Sequence, residues 1–92
     1  MTVRVKFRGP LANNMERPII EVDAEDEMRL GGILLRAIEL HQQVREHWSE
    51  PGDIEREALV LLNGVDSALL GGLDATVRDD DMIEILPLVH GG

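Results

Sequence analysis

Residues 58–92 read ALVLLNGVDSALLGGLDATVRDDDMIEILPLVHGG. ALVLL is a short apolar run of strand length, and NGVD after it is a turn signal. SALLGGLDATV has no sustained period and leaves room for one short strand or helical turn. RDDD reads as a second turn. MIEILPLV reads as a last strand, with Ile83 and Ile85 on the opposite side from Met82 and Glu84, and Pro87 is expected to end its regular pairing. Two glycines then close the sequence. This third of the chain contributes two strands and no helix of useful length, which restricts how the remainder can complete a core.

Upstream, TVRVKFR alternates, with Val3, Val5 and Phe7 on one face and Arg4, Lys6 and Arg8 on the other, as in a half-buried strand. GPLANN is a turn or short loop. RPIIEV is a second strand with Pro18 near its start, and together they suggest a hairpin. DAEDE places acidic residues before a helix, where the N-terminal dipole favours them. That helix is expected from about Met28 to His47. Its apolar stripe runs through Leu30, Ile33, Leu34, Ala37, Ile38 and His41, and continues to Val44 and Trp48. SEPGD is expected to end it.

One amphipathic helix covers one face of a sheet, which makes a two-layer α+β domain. The order fits a β-grasp arrangement: a mixed four- to five-stranded sheet covered on one face by one long helix. A ferredoxin-like fold would require a second helix of similar length.

Composition bounds the function. Ninety-two residues suit one domain and bury only about 60–65% of the unfolded surface, so the core is thin. Hydrophobic residues make up 43% and charged residues 29%, a globular balance, but Phe7 and Trp48 are the only aromatics, so that core is aliphatic. The net charge of −9 argues against nucleic acid, whose phosphates require clustered Lys and Arg, and fits a basic surface on a partner protein. With no cysteine, the chain has no disulfide, thiolate zinc site, iron–sulfur cluster or cysteine nucleophile. No apolar run approaches a membrane span, and MTVRVKF alternates instead of forming a signal-peptide block, so a cytoplasmic location is expected.

Three glycine pairs need separate readings. Gly31-Gly32, near the helix start, suits close approach of helix to sheet. It lacks the GxxxxGK[ST] or GxGxxG context of a phosphate loop. Gly71-Gly72 suits turns with positive φ. Gly91-Gly92 follows the last strand, as a frayed end or as a reactive terminus. A carboxylate on a stalk without side chains can thread a narrow channel, and from Pro87 to Gly92 the reach is up to roughly 20 Å. The division expected is a domain over 1–86 and a flexible tail over 87–92.

In this frame of strand, Asn-Gly turn, glycine-containing loop, Asp-rich turn, strand and terminal Gly-Gly, the chain resembles the ubiquitin-like sulfur carriers. That family includes the small subunit of molybdopterin synthase, the thiamine-pathway carrier, and the ubiquitin-related modifier with its archaeal relatives. The HGG ending is closest to the ubiquitin-related modifier, and the ILP before it to the molybdopterin-synthase subunit. The usual glycine of the Asp-Gly-Asp turn is Asp80 here. The resemblance implies a β-grasp fold, and a terminal Gly92 carboxylate adenylated by an E1-like enzyme that uses ATP. A sulfur donor then converts the acyl-adenylate to a thiocarboxylate, or a lysine takes the acyl group as an isopeptide. It implies Gly91 as spacer and no bound cofactor, and makes the chain a substrate rather than an enzyme. It also implies docking through an apolar patch on the sheet face opposite the helix, for which Leu62, Leu86 and Leu88 are the candidates; those three residues equally suit core or incidental surface.

Other residues carry blander readings. His90 either assists the terminal chemistry or is a solvated tail residue. His41 and His47 are six apart and share no helix face as a metal pair, so no metal site is expected. Asp79, Asp80 and Asp81 lack the EF-hand pattern and read as a solvated turn. Glu25, Asp26 and Glu27 support a helix start. Lys6, the single lysine, is the one internal side-chain amine able to accept a conjugate. Two alternatives stand beside the carrier reading: the small subunit of molybdopterin synthase bound to its large subunit, and a β-grasp interaction module whose Gly-Gly is incidental.

Overall fold

The computed structural model describes residues 1–13, 15–25 and 27–88. Along the chain come β1 (Thr2–Phe7), a short α1 (Pro10–Asn13), β2 (Ile19–Asp23), β3 (Met28–Arg29), α2 (Leu30–Leu40), α3 (Gln42–His47), α4 (Pro51–Glu57), β4 (Ala58–Leu62) and β5 (Val65–Asp66). Two 3-10 turns (Ser67–Leu70 and Gly72–Asp74), β6 (Thr76–Val77) and β7 (Met82–Pro87) complete it. Among the described residues five strands form one mixed sheet in the order β2-β1-β7-β4-β5, and β3 pairs with β6 apart from it.

The register explains the core. β1 runs antiparallel to β2 and parallel to β7, and β7 runs antiparallel to β4. Ile20 faces Val5, Val5 faces Ile83, and Ile83 faces Leu62, so one apolar row crosses four strands. A second row joins Phe7, Ile85 and Val60. Because strand side chains alternate, these residues share the inner face. On it α2 buries Leu30, Ile33, Leu34, Ala37 and Ile38.

The helical region differs from the single long helix over residues 28–47. Met28 and Arg29 form β3, paired with Val77 and Thr76, so the helix begins at Leu30. Leu30 N–H donates to Ala75 O (2.8 Å), and the Arg29 guanidinium donates to Asp74 O (2.8 Å), tying the helix start to the segment before β6. The helix stops where His41 turns extended (φ −127°, ψ 115°). A continuous helix of that length would run about 30 Å, whereas strands of this length span about 20 Å. The break keeps Val44 and Trp48 on the core, where both are buried. Arg45 of α3 reaches back to donate to the carbonyls of Ile38 and Glu39, placing positive charge at the negative end of α2.

SEPGD begins a helix instead of ending one. Pro51 is tolerated in the first turn of α4, where no intrahelical N–H is needed, and Asp53 accepts from the Ser49 and Glu50 N–H groups (3.1 and 3.2 Å). α4 buries Ile54 and leads directly into β4. GPLANN likewise holds the short α1.

The glycines near the start of α2 do not serve contact with the large sheet. A Cβ on Gly31 would come 3.4 Å from Leu73 in the second 3-10 turn, and one on Gly32 would come 2.8 Å from Met28 Cε of β3, so the close approach is to that turn and to the small β3–β6 sheet. Asp80 has a φ of 65°, the left-handed conformation for which glycine is the usual residue.

Candidate docking face beside the C-terminal strand

β7 is a central strand, hydrogen-bonded on both edges, and it delivers the chain to its C-terminus. Ile83 and Ile85 are fully buried, which leaves Met82, Glu84 and Leu86 on the outer face. Pairing continues to Pro87 opposite Ala58, and then Leu88 N–H donates to Glu57 O at 2.8 Å. Since Leu88 turns its amide toward β4, Pro87 turns its nitrogen toward β1. Bonding between β1 and β7 runs on to Arg8, whose N–H donates to Ile85 O at 3.0 Å, and the missing N–H of Pro87 then ends that ladder, as the sequence leads one to expect. On the β4 side the hydrogen bonding continues past the proline to Leu88, at the junction of α4 and β4.

The outer face follows from the same register. Leu86 stands opposite Leu59, and Leu61 opposite Glu84. Leu59, Leu61 and Leu86 are half-buried, and Leu88 is 52% exposed. Together they form an apolar patch beside the point where the described chain ends. Leu62, expected in this patch, belongs to the core instead: it is 6% exposed and faces Ile83. Leu59 and Leu61 take its place. ALVLL is apolar at every position, so its own pattern does not say which residues point inward. The alternation of β7, with Ile83 and Ile85 in and Leu86 out, supplies that answer through antiparallel pairing.

Charge divides around the patch. Arg4 and Lys6 of β1 lie on this face with Arg8 just beyond the strand, three of the nine Lys and Arg of a chain that carries −9 overall. Lys6 faces Glu84 in the register, and Arg8 Nε donates to Glu84 Oε2 at 2.7 Å. On the other side, along β4, an open groove of about 330 Å³ is lined by Ala58, Leu59, Val60 and Leu88 together with the acidic Glu55 and Asp66. The face is thus an apolar strip between a basic strand and an acidic margin, not a uniformly acidic surface.

Of the other sequence candidates, His41 lies at the break between α2 and α3, in a groove of about 530 Å³ shared with Met15, Ile19 and Ile20. His47 packs edge-on against Trp48, with ring centroids 5.5 Å apart. Among the described residues no group of three or more His, Asp or Glu is placed to hold a metal ion, and no helix is long and apolar enough to cross a membrane. Asp79 and Asp81 serve the fold: Asp79 Oδ1 accepts from Thr2 N–H (2.8 Å) and Asp81 Oδ2 from Arg78 N–H (2.7 Å). His90, Gly91 and Gly92 lie outside the described residues, as does Asp26.

Comparison with known proteins agrees with this architecture. The crystal structure of SAMP1 from Haloferax volcanii superposes with a TM-score of 0.79 at 22% identity, covering 100% of both chains. The solution structure of small archaeal modifier protein 1 from Methanosarcina acetivorans has a TM-score of 0.75 at 27% identity, over 99% of this chain and 96% of that one. A chain of the Amycolatopsis orientalis BexX/CysO complex has a TM-score of 0.71 at 26% identity, over 98% and 99%. No curated protein matches. The family model described as Urm1 (Ubiquitin related modifier) matches residues 2–92. The chain, a β-grasp domain of the ubiquitin-like sulfur-carrier type, belongs to the Urm1 family.

Proposed function

We propose that this protein is a carrier whose C-terminal Gly92 carboxylate is activated by an E1-like enzyme and converted to a thiocarboxylate, for sulfur transfer or for conjugation. The observation that carries this reading is the family match, which runs through the terminal Gly-Gly at 91–92. A carboxylate expels oxide poorly. Transfer of AMP from ATP to one carboxylate oxygen, with release of pyrophosphate, makes that oxygen part of a good leaving group, and a sulfur nucleophile or an amine then displaces AMP at the carbonyl carbon. The ATP belongs to the activating partner, and the carrier contributes positioning.

The docking role falls to Leu59, Leu61, Leu86 and Leu88. This patch borders the root of the tail, so a partner seated on it receives the terminus within reach of its own active site. Gly91 and Gly92 keep the stalk narrow, and His90 is a spacer at its base. Lys6, on the outer face of β1, is the internal acceptor if chains form. The likeness to a chain of the BexX/CysO complex supports a life bound to partner proteins.

The test is intact-mass measurement after incubation with an E1-like enzyme, ATP and a sulfur source. The expected product carries sulfur in place of one terminal oxygen, and deletion of Gly91-Gly92 abolishes it. An unmodified mass with an enzyme that activates another carrier in the same reaction would leave a β-grasp interaction module as the reading.

A further inference from the structure

Asn63 and Gly64 form the two-residue turn between β4 and β5, with φ of 50° and 82°, and Leu62 pairs with Val65 across it. Two left-handed central residues match the twist of a tight hairpin. The Asn63 side chain is held at both ends. Its Nδ2 donates to Asp81 Oδ1 at 2.9 Å, and its Oδ1 accepts from Met82 N–H at 2.9 Å. Asn63 N–H also donates to Met82 O at 2.8 Å. The turn is therefore stitched to the first residue of β7, the strand that carries the tail.

An asparagine followed by glycine is open to attack by the next main-chain nitrogen, because glycine has no Cβ to obstruct the approach. Here Gly64 N–H has no hydrogen-bond partner among the described residues, and a Cβ at Gly64 would meet nothing within 4 Å. The nucleophile is free; the electrophile is clamped. We propose that Asn63 is a site of spontaneous deamidation, and that its hydrogen bonds to Asp81 and Met82 hold the reaction back while the protein is folded.

In this step Gly64 N bonds to Asn63 Cγ and gives up its proton. The Cγ–Nδ2 bond breaks, and Nδ2 leaves with that proton as ammonia. The succinimide adds one water at either carbonyl and reopens to aspartate or to isoaspartate. To bring Cγ over Gly64 N, the amide must rotate away from Asp81 and Met82 and lose both bonds. The products also differ from the native turn. Aspartate sets a second carboxylate against Asp81, and isoaspartate inserts a methylene into the main chain of a two-residue turn. Both weaken the tie between the β4–β5 turn and the entry of β7.

The experiment follows deamidation by peptide mapping with mass spectrometry in mildly alkaline buffer, for the folded protein, for the same protein in urea, and for Asp81→Ala. At roughly tenfold per lost hydrogen bond, Asn63 should convert about 10–100-fold faster in urea than when folded. Folded Asp81→Ala should fall between the two. If circular dichroism shows Asp81→Ala unfolded, the folded and urea rates of the natural sequence decide the matter alone. Asn63→Asp, mimicking one product, should melt at a lower temperature. Equal rates folded and in urea, or conversion confined to Asn13 and Asn14, would overturn the proposal.

Discussion

Leu59 of β4 and Leu86 of β7 stand directly opposite each other on the sheet face away from α2. Three residues further along β4, Leu62 points the other way and is buried against Ile83. Leucines of one strand thus have opposite fates, and substitution separates them. Leu62→Ala should cost about 2–5 kcal/mol of stability by leaving a cavity. Leu86→Ala should cost only about 0.2–1 kcal/mol, the range for a cross-strand pair. Urea denaturation of both variants checks this, and equal losses would mean that the outer face is covered.

Binding should reverse the ranking. Leu88→Asp should weaken binding to an E1-like partner by on the order of 2 kcal/mol or more if Leu88 is a central anchor. The melting temperature should stay near that of the natural sequence, because the residue is half exposed. Surface plasmon resonance reads the loss as faster dissociation. Normal dissociation from an active partner would move the docking face elsewhere, with the groove at the α2–α3 break as the next place to examine.

Gly91→Val tests the narrow-stalk argument. Adenylation should slow sharply while docking affinity stays close to normal, because the channel must pass this residue and the patch need not touch it. Single-turnover kinetics alongside equilibrium binding separates the two, and an unchanged rate removes the steric role of glycine.

Lys6 lies on β1 between Ile19 of β2 and Glu84 of β7 in the register. The N-terminal amine is already engaged, donating to Ala24 O at 3.1 Å. Lys6→Arg should therefore eliminate self-conjugates while leaving attachment to other proteins intact, with linkage mapping by mass spectrometry as the readout. Chains that persist would have to use the N-terminal amine or a non-lysine acceptor.

Asp80 holds a left-handed conformation, and its N–H donates to Thr2 O at 2.9 Å. Asp80→Gly relieves the Cβ conflict at the expense of a more flexible unfolded chain, so stability should change by no more than about 1 kcal/mol. Asp80→Val, β-branched in the same conformation, should destabilise by more than that. Thermal melts of the two variants give the order, and a harmless valine would show that the turn rearranges freely.

The strands that alternate were legible in the sequence. Val3, Val5 and Phe7 mark the inner face of β1, and Ile83 and Ile85 that of β7, because a half-buried strand writes its own burial with period two. The terminal Gly-Gly and the succession of turns between residues 58 and 92 pointed to the family by chemistry that does not depend on packing. Tertiary structure alone decided three other matters. The inner face of ALVLL was settled by pairing with β7, since a strand apolar at every position carries no period. The helix broke at His41 because its stripe ran longer than the sheet beneath it, and nothing local in LHQQV signals that limit. The outer face gathered Arg4, Lys6 and Arg8 beside Leu59 and Leu86 although the chain as a whole is acidic. Net charge sums over the molecule, whereas a partner meets only the side chains that the register of β1, β7 and β4 brings to one face.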